Sequence, residues 1–260
     1  MNVLQNLVEL YNHLPQDSTY RNVCGGILSH MEEAAAGTIY DLAELTSASR
    51  TTIWRMLQKM GYRNFSDFHF ELKQAVKQYP FYNRLILPKY FKNASDAKER
   101  LLSQMDYAKR MMEEQVDAAE MEEAAKELLL ADKVVFYSHY KLNGLLSLQQ
   151  NLAMSGKETG YYGLFPEMIA DSRNLTEDSI VILGIIEHAE TMDLERVFQN
   201  CSGRGASIWG IFMANSRYRN YVDRELLNNE EGTVAAGILA AETYFILLSE
   251  IYRMYGIENK

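Results

Sequence analysis

The chain has 260 residues, 47% hydrophobic and 23% charged, which is material for one large ordered domain or two modest ones. Fifteen glycines and four prolines are too few for a low-complexity chain, and Cys24 and Cys201 alone cannot staple a small secreted scaffold. Two reduced, buried thiols are expected, with a pairing between them left open, and the formal net charge of −9 makes any basic segment stand out.

The N-terminus, "MNVLQNLVELYNHLPQ", has neither a basic start nor an apolar run, so it does not read as a signal peptide, and the cytoplasm is the expected location. "VLQNLVELYNHL" has apolar residues at helical spacing, and "YRNVCGGILSHMEEAA" repeats that pattern as far as Gly37. "TIYDLAELT" starts a further helix, with Thr38 as N-cap and Asp41 three residues on. "SASRTTIWRMLQKMGY" offers Ser49 as the next N-cap, an inward stripe of Ile53, Leu57 and Met60, and Gly61 as the stop. "SDFHFELKQAVKQY" reads as one more helix, capped by Ser66.

From Thr46 to Phe65 this acidic chain contains no acid, while Arg50, Arg55, Lys59 and Arg63 all fall in that window. A helix, a tight turn ("TSA") and a second helix with an apolar inner stripe make a helix-turn-helix, whose second helix enters the major groove. The outer face must be polar and free of acids, because phosphates repel them. Ser49, Arg50, Thr51, Thr52 and Arg55 supply donors for base edges or phosphates, and Lys59 and Arg63 are placed for the backbone. Thr38, at the start of the first helix, joins this candidate DNA-binding set. The bland alternative, a solvated basic helix face, explains the charge but not the turn, the caps and the inner stripe together.

The helical pattern lapses at "PFYNRLILPKYFKNAS", which reads as a linker with packed aromatic residues. Beyond it a long helical stretch, in one or two pieces, ends at "LLLAD". Then follow "KVVFYS" as a strand, "LNGLLSLQQNLAMSG" as a helix, "ETGYYG" as a second strand with a short helix after it, "SIVILGII" as a strand, "MDLERVFQNCSGRG" as a helix, and "ASIWGIF" as a strand. "TVAAGILAAETYFILLSEIYRMYG" is the final helix; Glu242 and Glu250 interrupt it, so a buried or subunit-contact helix fits it better than a membrane span. This alternation implies a multidomain chain: an all-α helix-turn-helix domain over 1–77, a linker with a packed helical segment over 78–105, and an α/β three-layer domain with a parallel sheet over 106–260. Ligands of open α/β sheets bind beyond the carboxyl ends of the strands, which directs attention to "SHYKLNG" and "EHAETMD".

The stretch "TIYDLAELTSASRTTIWRMLQKMGYRNFSDFHFELKQ" resembles the N-terminal domain of RpiR-type bacterial transcription regulators. The family pattern of "I-x-x-L-A", "S-x-x-T-I-x-R" and "L-G-[YF]-x-x-F-x-[DE]-[FL]" is met by Ile39, Leu42, Ala43; Ser49, Thr52, Ile53, Arg55; and Met60, Gly61, Tyr62, Phe65, Asp67, Phe68, with Met60 in place of the usual Leu. The resemblance implies a C-terminal sugar isomerase (SIS) domain that senses phosphosugars, a palindromic double-stranded DNA operator, a homodimer or tetramer, a repressor, and neither cofactor nor membrane. The two ligand loops depart from the family. "SHYKL" stands where "G-x-G-x-S" is usual, and "IEHAET" where "S-x-S-G-x-T" is usual, so Ile186 and His188 replace serines and only Thr191 survives. Two readings stand. In one, Ser138, His139, Lys141, His188, Glu190 and Thr191 form a rebuilt effector site for a different anion or sugar; in the other, the domain only oligomerises. We favour the first.

"EHAE" places Glu187, His188 and Glu190 together, but no second His or Cys cluster accompanies them, and no metal site is expected. A sugar-phosphate isomerase is the enzymatic alternative. It needs a positioned base and a phosphate anchor, and the anchor is the part that has changed. No catalytic residues are therefore assigned.

Overall fold

Apolar side chains between Val3 and Ala75 close on one core, and a separate set between Ala108 and Tyr252 covers the two faces of a sheet. The computed structural model describes residues 3–78, 91–138, 141–186, 192–212, 217–229 and 233–258. The chain divides into two compact units, Met1–Arg84 and Leu85–Lys260. The first holds eight acidic and eight basic residues, so the whole charge of −9 belongs to the second.

The first unit is helical: α1 (Val3–His13), α2 (Thr19–Ser29), α3 (Met31–Ala36), α4 (Ile39–Leu45), α5 (Arg50–Lys59) and α6 (Phe65–Gln78). Leu7, Ile27, Leu42, Ile53, Leu57 and Phe68 meet in its core. Two expectations need correction. The helical pattern running to Gly37 is broken at His30, whose φ of −133° and ψ of 45° leave the helical region, so α2 and α3 are separate helices. The cap of α6 is not Ser66 but Asn64, whose Oδ1 accepts the Asp67 N–H at 2.8 Å while its Nδ2 donates to the Asp67 carboxylate at 2.9 Å.

The second unit opens with α7 (Ala94–Gln115) and α8 (Ala118–Leu130), which Asp117 separates as the N-cap of α8. There follow β1 (Lys133–Tyr137), α9 (Asn143–Met154), β2 (Glu158–Tyr162), α10 (Phe165–Ser172), β3 (Ser179–Ile186), α11 (Met192–Gly203), β4 (Ser207–Phe212), β5 (Arg224–Asn228) and α12 (Val234–Arg253). All neighbouring strands pair in parallel, in the order β2-β1-β3-β4-β5. Both faces are buried: Val134, Phe136, Ile180, Ile182, Trp209 and Ile211 point to one core, and Val135, Tyr137, Val181, Leu183, Ile208 and Phe212 to the other. Helices α7, α8, α9 and α12 cover the first face, and α10 and α11 the second, which gives three layers. The edge strand β5, "RELLN", has no periodic apolar signal in the sequence. Only Leu226 and Leu227 of it are buried, and Arg224 instead makes an ion pair with Glu127 of α8.

Helix α12 is long and apolar enough to cross a membrane, but half of its most apolar window is buried within this unit. Ala236, Ala240, Phe245 and Leu248 are among its fully buried residues. Cys24 and Cys201 are both buried and unpaired with each other, and burial pushes their thiols up to about 11 and about 12. They lie in different units, so each behaves as a small core hydrophobe.

Candidate DNA interface and ligand crevice

The turn between α4 and α5 is built by backbone geometry. Ser47, with φ of 49°, lies in the left-handed region, the Ser47 N–H donates to the Glu44 carbonyl at 3.1 Å, and the Ala48 N–H donates to the Ala43 carbonyl at 3.0 Å. This is a Schellman closure. The same closure ends α5, where Gly61 takes the left-handed position with φ of 87° and Tyr62 N–H reaches the Leu57 carbonyl at 3.0 Å. The hydroxyl of Thr46 donates to the Leu42 carbonyl at 2.7 Å, and a Cβ on Gly26 would stand 2.9 Å from Thr46 Cγ2, so α2 holds the turn by close approach. Ile53, Met56 and Leu57 anchor the inner face of α5 in the core.

The opposite face of α5 is open. Arg50, Thr51, Arg55 and Lys59 are exposed, and so is Arg63 after the helix; Thr52 is half-buried. The Arg50 guanidinium lies 4.3 Å from the centroid of the Tyr40 ring, a cation–π contact that directs it from the start of α5. Lys59 leans toward Tyr20, with its ammonium 5.9 Å from that ring. Two residues of the expected set are engaged in caps. Ser49 Oγ accepts the Thr52 N–H at 3.1 Å and is 2.8 Å from the Thr52 hydroxyl. Thr38 forms a reciprocal capping box with Asp41, its hydroxyl donating to the carboxylate at 2.8 Å. The Thr38 backbone N–H and hydroxyl hold the Asp41 carboxyl below its ordinary value, so a charged acid stands beside Thr38 at neutral pH.

Two exposed aromatics on this surface were not singled out from the sequence. Trp54 is 43% exposed on the outer face of α5, and Tyr40 is 63% exposed under Arg50. The signal for Trp54 was present: with Ile53 and Leu57 inward, a residue at 54 points out beside Thr51, Arg55 and Gln58. An outward Trp among donors is suited to apolar contact with a thymine methyl.

In the α/β unit the strand order reverses between β1 and β3, and the crevice of such a sheet lies there, beyond the carboxyl ends. Ser138, directly after β1, is 2% exposed, and its N–H donates to the Tyr162 carbonyl at 3.1 Å. Gly184 of β3 lies against it, so close that a Cβ there would be 2.7 Å from Ser138 Oγ. Tyr161 is half-buried nearby, and desolvation pushes its hydroxyl up to about 12, against hydrogen bonds with the Ser138 side chain and the Leu142 backbone that lower it. Lys141 is exposed. His139, His188, Glu190 and Thr191 lie outside the described residues, as does Glu187, so of the expected effector set only Ser138 and Lys141 are placed. Among the described residues no cluster of His, Cys, Asp and Glu is arranged to hold a metal ion.

The crevice also contains a residue that was not assigned to it. Glu242 of α12 accepts the Asn143 N–H at 3.0 Å through Oε1 and the Gly144 N–H at 3.3 Å through Oε2, at the very start of α9. The N-cap position, Leu142, offers no side chain for that purpose.

Residues 1–79 match the helix-turn-helix domain of the rpiR family. The N-terminal unit is an rpiR-family helix-turn-helix domain. In this rpiR-family domain α4 and α5, joined by the turn at Ser47, have the arrangement of a helix-turn-helix pair. No curated protein matches the chain. Three solved structures are similar in fold. The NanR protein of Vibrio vulnificus complexed with ManNAc-6P has 16% identity and a TM-score of 0.47, over 99% of this chain and 92% of that one. A putative sugar-phosphate isomerase of Listeria monocytogenes has 12% identity and a TM-score of 0.48, over 64% and 93%. The sugar isomerase domain of an RpiR transcription factor from Sphaerobacter thermophilus has 14% identity and a TM-score of 0.44, over 62% and 89%. Likeness of this degree assigns no role to any residue of this chain.

The turn of the rpiR-family domain generates a direct test. Ser47 is exposed and takes a conformation that costs an L-residue about 1–2 kcal/mol, while glycine adds about 0.4–1 kcal/mol of unfolded-state entropy. Ser47→Gly should therefore raise the stability of the N-terminal unit by roughly 0.5–1 kcal/mol in urea unfolding followed by Trp54 fluorescence. A loss of stability would show that Ser47 makes a contact beyond the turn.

Proposed function

We propose that the protein is a DNA-binding transcription regulator, a repressor in sign, whose α/β domain takes a sugar derivative at the β1/β3 crevice. The observation that carries the reading is the acid-free outer face of α5, with Arg50, Thr51 and Arg55 exposed and Arg50 held over Tyr40. Electrostatics support a local interface. The first unit has no net charge, so its affinity for DNA rests on this face. The family of the N-terminal domain favours a regulator over a sugar-phosphate isomerase, and the same reading places the protein in the cytoplasm.

A second copy of the chain completes the reading. Ile246 and Leu247 of α12 are 47% and 40% exposed, and Leu146 of the adjoining α9 is 38% exposed. These apolar residues on two packed helices suit an isologous contact, and a two-fold dimer suits a palindromic operator. Ile246→Glu with Leu247→Glu should shift the sedimenting species from dimer to monomer; a wild-type monomer, or a variant that stays dimeric, would overturn this face as the contact.

The DNA reading is tested by fluorescence anisotropy with duplex from the protein's own upstream region. Binding should weaken steeply with salt, and Arg50→Ala should cost about 1–3 kcal/mol if Arg50 reads a base. Affinity indifferent to salt, or unchanged in Arg50→Ala, would count against it.

A further inference from the structure

The α9 N-terminus stands beyond the carboxyl end of β1, where a parallel α/β sheet offers backbone N–H groups to an anionic ligand. In this chain the first two of those groups are already occupied. The Asn143 and Gly144 amides both donate to the Glu242 carboxylate, one to each oxygen. The arrangement is held from below. A Cβ on Gly144 would lie 2.8 Å from the Glu242 carbonyl oxygen and 2.8 Å from the Ile246 nitrogen, so α9 and α12 touch backbone to backbone at this point. Ser138, directly after β1, is engaged as well. The Ser138 N–H donates to the Tyr162 carbonyl, and the Ser138 side chain hydrogen-bonds with Tyr161. The Glu242 charge also raises the Tyr161 hydroxyl.

We propose that Glu242 is a specificity-determining residue of the ligand crevice, an internal anion that takes the place of a ligand phosphate at the start of α9. The inference deepens the reading of the crevice as the effector site and rests on it for its biological meaning. A second anion brought to the same amides meets a full negative charge at contact distance and no free N–H. Each carboxylate oxygen has lone pairs beyond the one used by its amide. Glu242, half-buried rather than sealed, therefore offers acceptors to hydroxyl groups. The ligand class that fits is a polyhydroxylated compound that turns an uncharged, hydroxyl-bearing end toward β1 and α9. Any phosphate it carries points away from them.

The test uses the full chain, with inorganic phosphate as the probe of the anion site and a panel of free and phosphorylated sugars as the probe of the crevice. Melting temperature and calorimetric titration are read for wild type, Glu242→Gln and Glu242→Ala, with chloride at matched ionic strength as the control. Removing the charge should strengthen phosphate association about tenfold or more, with Ala at least as effective as Gln. It should also weaken any sugar whose hydroxyls Glu242 accepts. Phosphate affinity equal in all three proteins would overturn the inference while leaving the crevice reading intact. Phosphate gained only in the variants, with no sugar shifting the wild type, would uphold the role of Glu242 and overturn the effector reading instead. If Glu242→Ala is too unstable to study, Glu242→Gln, which keeps an amide acceptor, decides alone.

Discussion

Every helix begins with backbone N–H groups that have no partner inside the helix, and how each set is satisfied decides what that end can do. At α5 the partner is a short hydroxyl, Ser49, which closes on Thr52 and leaves Arg50, Thr51 and Arg55 open to the outside. At α9 it is a carboxylate brought from another helix, Glu242, which fills the position with charge. The first solution keeps a helix N-terminus compatible with phosphates. The second makes one incompatible with them. The two ends thus differ in what they admit, within one acidic chain.

The geometry around α5 shows how little is needed to make such a face. Its inner residues, Ile53, Met56 and Leu57, fix the roll of the helix in the core, and the outer residues follow from helical spacing. Ser47 and Gly61 close the preceding helix and α5 itself with the same hydrogen-bond pattern, one with a conformational cost and one without. Tyr40 then directs Arg50 through its ring face. Positioning before contact is what reduces the entropy lost when a long side chain meets a base or phosphate.

Much of this was legible in the sequence, because its signals are local. Thr38, Ser49 and Gly61 announce helix ends by chemistry that acts over three residues, and "SIVILGII" and "KVVFY" announce buried parallel strands by being nearly all apolar. The misses have equally physical causes. His30 breaks a pattern whose periodicity continues across the break. Ser66 and Asn64 are both good caps, and only the turn geometry selects the earlier one. The edge strand β5 buries two of its five residues, too few for a periodic signal. Glu242 reads in sequence as a charge interrupting an apolar helix. Its role depends on a contact with residues 99 and 98 positions away, which no local pattern contains.

The central claim is that the outer face of α5 recognises DNA sequence. Selection of binding sites from a random pool of duplexes, carried out with the full chain and with an Arg50→Ala, Arg55→Ala variant in parallel, tests it most directly. The account predicts that the wild type enriches one inverted-repeat motif and that the variant loses it. No enrichment by the wild type, or the same motif recovered without the two arginines, would contradict it.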